Sequence, residues 1–301
     1  MPSVLQKTIQ AHAKINLFLD ITGRRADGYH TITGVMQAIS LCDEVTVTVA
    51  PADGAGSITL TCSDPALPSD KENLGYRAAE AFLKAVGWED LTVIVHIEKH
   101  IPAAAGMAGG STDAAAVLRA LNDLTGRPLD EVALRAVGLR LGADVPFCLA
   151  GGSQITEGVG ELLSPCAPLP PCHIVVACGG EGVSTPGAYR TLDGMYQSFD
   201  GTAYTPRREM LAGLQKALAE GNLFGVGRYA YNLFEAAILP NHAVARGIRD
   251  TLGQMGSVCA MMSGSGPSVF GLFCDEEKAR RAADALQAQG IGAWMCGTVP
   301  S

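Results

Sequence analysis

Lys14 and Asn16 fall on one face of the period-two segment A-H-A-K-I-N-L-F-L, together with His12, while Ala13, Ile15 and Leu17 take the other. A cation and an amide side by side on a strand face flanked by apolar residues call for a reason. The same pattern also reads as a solvated edge, a common place for lysine. Asp144 is set just as oddly, in L-G-A-D-V-P-F after Gly142. It reads as the N-cap of the next turn or as a functional carboxylate. Between the two lies I-P-A-A-A-G-M-A-G-G-S-T-D-A-A-A, Ile101 to Ala116, with almost no side chain larger than a methyl before Thr112 and Asp113. A loop this bare lets an anion approach the backbone. The helix behind it aims free N–H groups and a positive dipole end at that anion. A small-residue turn packing a helix close to a sheet explains the loop equally well. It is not a Walker loop, because no G-K-[ST] follows, and it lacks the G-x-G-x-x-G of a dinucleotide fingerprint.

Two further segments carry side chains suited to recognition. G-R-R-A-D-G-Y-H, residues 23–30, makes a tight Asp27–Gly28 turn from which Tyr29 and His30 emerge. An aromatic ring beside an imidazole can stack on and hydrogen-bond to a planar base, or simply close a hairpin. M-M-S-G-S-G-P-S-V-F, Met261 to Phe270, is a second glycine-rich turn. It reads as a sharp hairpin or as a flap over phosphates gripped by the first loop.

The elements that must position these residues follow from periodicity. Alternation over Ile15–Ile21, Val45–Val49, Ile58–Cys62 and Val93–Ile97 predicts half-buried strands. Helices are predicted at Asn73–Val86, Ser111–Thr125 and Asp130–Leu141. Val117, Leu118, Leu121 and Leu124 give the second its apolar stripe, and Gly126 and Pro128 stop it. Beyond Gly151–Gly152 the texture changes, with a proline-rich crossover at Ser164–Pro171. A strand at His173–Cys178 follows, then helices at Arg207–Ala219, Asn241–Gln254 and Glu276–Ala288. Short strands are predicted at Val258–Met261, Ser268–Phe273 and Gly292–Cys296, and a surface loop at Tyr196–Thr205. This is a second α+β unit, with the boundary near residue 163.

The chain has 301 residues, 48% of them hydrophobic, enough for one large or two modest domains. A net charge of −8 argues against a nucleic-acid or anionic-membrane partner, so a polyanionic ligand has to be held by local devices. No apolar run reaches the ~18 residues of a spanning helix, and no signal-peptide core is visible. Nine cysteines, with no C-x-x-C pair, read as buried, reduced thiols of a cytoplasmic protein rather than a zinc or redox site.

Taken together, the five segments resemble the GHMP small-molecule kinases, named for galactokinase, homoserine, mevalonate and phosphomevalonate kinases. That family carries, in this order, a strand with a basic residue, a P-x-x-x-G-[LM] phosphate loop and a late glycine-rich turn. The segments span residues 13–270, nearly the whole chain. D-G-Y-H points to the branch that phosphorylates a cytidine-diphosphate-linked sugar alcohol on a hydroxyl. The resemblance implies an α+β fold of GHMP kinase type. It has an ATP-binding domain over residues 1–163 and a C-terminal kinase domain over 164–301, mostly antiparallel sheets and a cleft between them. It implies ATP and Mg²⁺ as cofactors, with the metal ligands unknown, and a cytidyl small molecule as partner in a monomer or weak homodimer.

By the same resemblance Lys14 and Asp144 are the catalytic pair, Asp144 taking the proton of the attacking hydroxyl and Lys14 orienting it and stabilising charge. Pro102, Ala103, Ala104, Ala105, Gly106, Met107, Ala108, Gly109, Gly110, Ser111 and Thr112 wrap the ATP phosphates, and Asn73 and Lys99 lie near the adenine. Asn16 touches substrate. The cytosine lies near His30 between the rings of Tyr29 and Tyr189, where stacking is worth ~1–3 kcal/mol per base. Thr185, in V-S-T-P-G-A-Y, is a further substrate contact. Met107 replaces the commoner Leu and Thr112 the usual Ser, both mild changes. Asp113 is the awkward residue: a carboxylate behind a phosphate loop repels triphosphate unless it points away or helps hold Mg²⁺. A homoserine or mevalonate-type kinase is the alternative within the family, though such substrates carry no base to stack. A non-catalytic nucleotide-binding module is the alternative outside it.

Overall fold

The structure, a computed structural model, describes residues 4–52 and 54–300. The chain divides into two compact units. One comprises the chain up to Ala13, Cys42–Ile101 and Ala108–Ala150; the other comprises Lys14–Leu41, Pro102–Met107 and the chain from Gly151 on. No single cut separates them, because the first two strands, β1 (Leu5–Arg24) and β2 (His30–Pro51), each run from one unit into the other.

In the first unit these strands are joined by β3 (Ser57–Cys62), α1 (Leu74–Val86), β4 (Leu91–Glu98), α2 (Gly109–Leu124), α3 (Glu131–Leu139) and α4 (Val145–Ala150). β2 pairs antiparallel with β4 from Glu44↔Glu98 to Pro51↔Leu91, and β4 pairs parallel with β3. Alternation sends Val45, Val47, Val49, Val93, Val95 and Ile97 to one buried face. Against it pack Ala78, Ala79 and Phe82 of α1 and Ala114–Leu118 of α2. The small residues of α2 let two helices and a sheet approach closely. Asn73 and Asp130 cap α1 and α3 by accepting from Gly75 N–H and Ala133 N–H. α2 starts two residues earlier than the Ser111 expected, with both glycines inside its first turn.

The second unit adds β5 (Ser153–Glu157), β6 (Leu162–Pro165), β7 (His173–Cys178), α5 (Thr185–Met195), α6 (Arg208–Ala219), α7 (Leu223–Tyr229) and β8 (Tyr231–Asn232). After these come α8 (Phe234–Ile238), α9 (Ala243–Gln254), β9 (Cys259–Met262), β10 (Val269–Phe273), α10 (Glu276–Gln287) and β11 (Gly292–Cys296). β1 pairs parallel with β8, and β2 antiparallel with β5, which continues to β6. A second sheet, in the order β11–β7–β10–β9, is antiparallel throughout. Its core joins Val175, Ala177, Val269 and Phe273 to Ala245, Ile248 and Leu252 of α9 and Ala279, Ala282 and Leu286 of α10.

Several expectations need correction. β2 begins at His30, far ahead of Val45, because Ile32–Ile39 is buried on both faces and loses its alternation. The stretch 196–205 is a largely exposed loop, as expected, but two of its rings turn inward. Phe199 and Tyr204 are buried in the core, and Tyr204 OH donates to Oδ1 of the fully buried Asp20 at 2.6 Å. All nine cysteines are free thiols, but only Cys296 is buried; Cys274 is exposed and the other seven are half-buried. Among the described residues no helix is long and apolar enough to cross a membrane.

Phe82 is fully buried, so Phe82→Ala should lower unfolding free energy by about 3–5 kcal/mol. Asp130→Ala, which deletes only a cap, should cost about 1 kcal/mol. Urea denaturation of the two variants checks the contrast, and equal losses would contradict this account of the core.

Candidate active site

The loop after Ile101 is shaped by backbone. Ala104, Gly106 and Ala108 all have positive φ, 51°, 76° and 62°, a region that residues with a Cβ enter reluctantly. At Gly106 no side chain fits: a Cβ there would lie 2.2 Å from the Ser263 carbonyl oxygen and 3.0 Å from Gly266 N. Ala108 is the N-cap of α2 and supplies no side-chain cap. The first-turn N–H donors of α2 are thus left for a ligand, the arrangement that favours an anion.

In the second unit, Lys14 is buried and its Nζ donates to Asn16 Oδ1 at 2.6 Å and to the Gly106 carbonyl at 2.9 Å. The reading of this strand as a solvated edge is therefore corrected. The Ser263 hydroxyl donates to the same Gly106 carbonyl at 3.1 Å and accepts from Asn16 N–H at 3.3 Å. Lys14 N–H donates to Met107 O and Ser268 N–H to Ala105 O, at 3.2 and 3.3 Å. The late glycine turn is a β9–β10 hairpin, and it also docks on the loop. Thr185, first in α5, shares a 2.8 Å hydrogen bond with Ser265 of that hairpin. The structure thus brings together Lys14, Asn16, Ala105–Met107, Ser263, Ser265 and Thr185.

His30 and Tyr189 are also adjacent in this unit. The imidazole stacks on the Tyr189 ring with centroids 4.7 Å apart, and Phe234 meets Tyr189 edge-on at 4.9 Å. His30 therefore covers one face of Tyr189, one of the two rings between which the base is expected. Tyr29 projects from its turn with 67% exposure.

In the first unit, Asp144 is half-buried immediately before α4, whose Cys148 N–H returns to its carbonyl at 3.0 Å. α4 packs against α2, and a Cβ at Gly142 would lie 3.8 Å from Ser111 Oγ. The Asp144 segment and the first turn of α2 are therefore neighbours. Thr112 Oγ1 donates to the His12 carbonyl at 2.8 Å, tying α2 to β1.

Asp113 points into the protein, where Lys99 sits between two carboxylates. Its Nζ pairs with Asp113 Oδ2 at 2.7 Å and with Asp43 Oδ2. Asp43 Oδ1 accepts from His100 N–H at 2.5 Å and Ile101 N–H at 2.8 Å. The trio therefore fastens both flanks of the loop, the end of β4 and the start of α2. Burial, reinforced by the Asp43 carboxylate and opposed by Lys99, pushes the Asp113 carboxyl up to about 7. Burial works to lower Lys99, yet the Asp113 and Asp43 carboxylates hold its ammonium above the usual range. One cation shared by two buried carboxylates is itself well satisfied and leaves one anion short. Asn73 is likewise engaged, its Oδ1 capping α1 and its Nδ2 donating to Pro68 O at 2.8 Å. Both Lys99 and Asn73 adjoin the α2 N-terminus: Cβ atoms at Gly109 and Gly110 would lie 3.4 Å from Lys99 Nζ and from Leu74 Cδ1, the residue after Asn73.

Sequence reasoning missed Ser263, Ser265, Asp43 and Asp193. Asp193 was within reach, since Ser184 and Pro186 announce a helix on which Asp193 follows Tyr189 by one turn. Nothing local signals Asp43.

The GHMP kinases N terminal domain matches residues 73–152 and the GHMP kinases C terminal domain matches 214–292. A relative from Gloeobacter violaceus, 4-diphosphocytidyl-2-C-methyl-D-erythritol kinase, is 40% identical over 96% of this chain and 93% of its own. One of the same name from Desulfitobacterium hafniense is 41% identical over 96% and 94%. A crystal structure of 4-(cytidine 5'-diphospho)-2C-methyl-D-erythritol kinase, 36% identical, superposes with a TM-score of 0.77 over 98% of this chain and 100% of that one. The chain belongs to the GHMP kinase family.

Two outcomes follow. Gly106→Ala should lose activity and stability together, because the new methyl meets backbone atoms rather than a flexible side chain; an active, stable variant would refute the close approach. Asp113, with its ordinary value of 3.8 raised to about 7, binds a proton more tightly folded than unfolded. Its contribution to stability is full below the ordinary value and is lost as pH rises to the folded value. Buried Asp20 and half-buried Glu235 are raised in the same sense. Urea midpoints should therefore fall between pH 5 and pH 8, and Asp113→Asn should flatten part of that fall. An unchanged slope would remove Asp113 as a contributor.

Proposed function

We propose that this chain transfers the γ-phosphoryl group of ATP to the 2-hydroxyl of 4-diphosphocytidyl-2-C-methyl-D-erythritol, a step of non-mevalonate isoprenoid precursor synthesis. The observation that carries this reading is the 40% identity to a kinase of that name over 96% of the chain. The meeting of Lys14, the phosphate loop and the late turn at Gly106 supports it from the residues up.

In this reading the backbone of Pro102–Thr112 holds the triphosphate, with the uncapped N-terminus of α2 as its strongest grip. Asn73 and Lys99 form the wall of the nucleotide site through the cap and the ion pairs that fix them. Mg²⁺ would supply charge neutralisation at the ATP phosphates. Asp43 and Asp113 share Lys99, so phosphates and water would be its main ligands, which Mg²⁺ accepts readily. Asp144 takes the proton of the attacking hydroxyl, and Lys14 orients that carboxylate and stabilises the charge on the moving phosphoryl group. Positioning and charge neutralisation supply most of the rate in such transfers. Asn16, Thr185, Tyr29, His30 and Tyr189 receive the cytidyl substrate. The two family-domain matches support a functional division near residue 163, with nucleotide binding in 1–163 and the C-terminal kinase half in 164–301.

An ADP-release assay with the cytidyl substrate tests the reading. Wild type should turn over, and Asp144→Asn should lose ~10²–10⁴-fold in kcat, the usual worth of a general base, while still binding ATP. Equal activity in that variant would remove Asp144 as the base. Thermal stabilisation by mevalonate but not by cytidine nucleotides would move the chain to another branch of the family.

A further inference from the structure

His30 is held from three sides in the second unit. Its Nε2 lies 2.7 Å from Asp193 Oδ1, its face stacks on Tyr189 with planes 15° apart, and Phe199 meets it edge-on at 5.4 Å. Asp193 and Tyr189 sit one turn apart on α5, so a single helix delivers both the stacking ring and the carboxylate. Arg24 stands 3.8 Å from the other carboxylate oxygen. A carboxylate only accepts hydrogen bonds, so the hydrogen between them belongs to Nε2. In a neutral imidazole, Nδ1 is then left with its lone pair.

We propose that Asp193 is a positioning residue that sets base selectivity, by locking His30 in the Nε2–H tautomer so that Nδ1 accepts from the exocyclic amine of cytosine. The proposal rests on the functional reading above, which puts the base beside His30. A uracil offers a carbonyl oxygen where cytosine offers N–H. Two lone pairs then face each other, and both groups lose their partners on leaving water. Sites that read a substrate polar group in this way discriminate far better than apolar pockets do. Asp193 touches no substrate atom in this scheme and acts wholly through the ring it holds.

The test uses the full chain with the cytidine-diphosphate-linked substrate and its uridine counterpart. Wild type should favour cytidine in kcat/KM by on the order of tenfold or more. Asp193→Asn can turn its amide to donate to Nε2, which moves the ring proton to Nδ1. The cytidine-to-uridine ratio should then fall about tenfold, through KM with kcat kept, and Asp193→Glu should restore much of it. An unchanged ratio, or an equal loss on both substrates, overturns the proposal. The ring is also read directly in the wild type by ¹⁵N NMR at pH 8, where an unprotonated Nδ1 is expected and a protonated one overturns the proposal whatever the variants do. Wild type inactive on both nucleotides would sink the functional reading and the selectivity with it. Activity with an unchanged ratio would sink the role of Asp193 alone.

Discussion

The Gly106 carbonyl is the point on which the site depends. A buried ammonium and a serine hydroxyl both donate to it, and a side chain on the same residue would strike the Ser263 backbone. Three stretches that are ninety and more residues apart in sequence are thereby fixed at one oxygen: the strand of Lys14, the bare loop and the late hairpin. The loop needs this outside support, since three of its residues hold a backbone shape that nothing in their own side chains stabilises. The absence of side chains frees N–H groups for an anion, and the donors of Lys14 and Ser263 supply the rigidity given up with them.

The same economy governs charge. A chain of net charge −8 gains nothing from its global field in holding a triphosphate. The two cations set into the protein here hold its own groups: Lys14 the side chain of Asn16 and the carbonyl of Gly106, Lys99 two aspartates. Lys99 also resolves the difficulty of Asp113. A carboxylate in the first turn of α2 is tolerable when it points inward to an ammonium, and through Asp43 that ammonium also holds the N–H groups of His100 and Ile101. Taking three charges out of water is costly. The expense falls on the short stretch of backbone that must keep its shape.

How much of this could be read from the sequence differs by kind of interaction. Period-two and period-3.6 patterns placed most strands and long helices within a residue or two, because burial on one face leaves a regular trace. The trace vanishes where both faces are buried, as in Ile32–Ile39, and where elements are very short, as in α4, α7 and α8. Lys14, Asn16 and the loop were legible because their residue types are odd for their settings. The trio of Asp43, Lys99 and Asp113 was not, since three ordinary surface-type residues acquire meaning only when folding brings positions 43 and 99 together. Tyr204 illustrates the converse: a loop rich in polar residues reads as solvated, while one phenol anchored on a buried aspartate pulls it inward.

The chain's repeated passage between its two units bears on its synthesis. β1 emerges first, and β2, its neighbour in the strand order, follows at once. Its other edge waits for β8, where Phe18 meets Tyr231, and Ile39 on β2 waits for Thr298. An apolar strand therefore keeps an open edge until a segment about two hundred residues further on has been made. Closing contacts so distant in sequence is slow, and exposed strand edges invite wrong partners meanwhile. A polypeptide stopped before residue 231 therefore keeps the edge of β1 at Phe18 and Leu19 open, with β2 alone beside it.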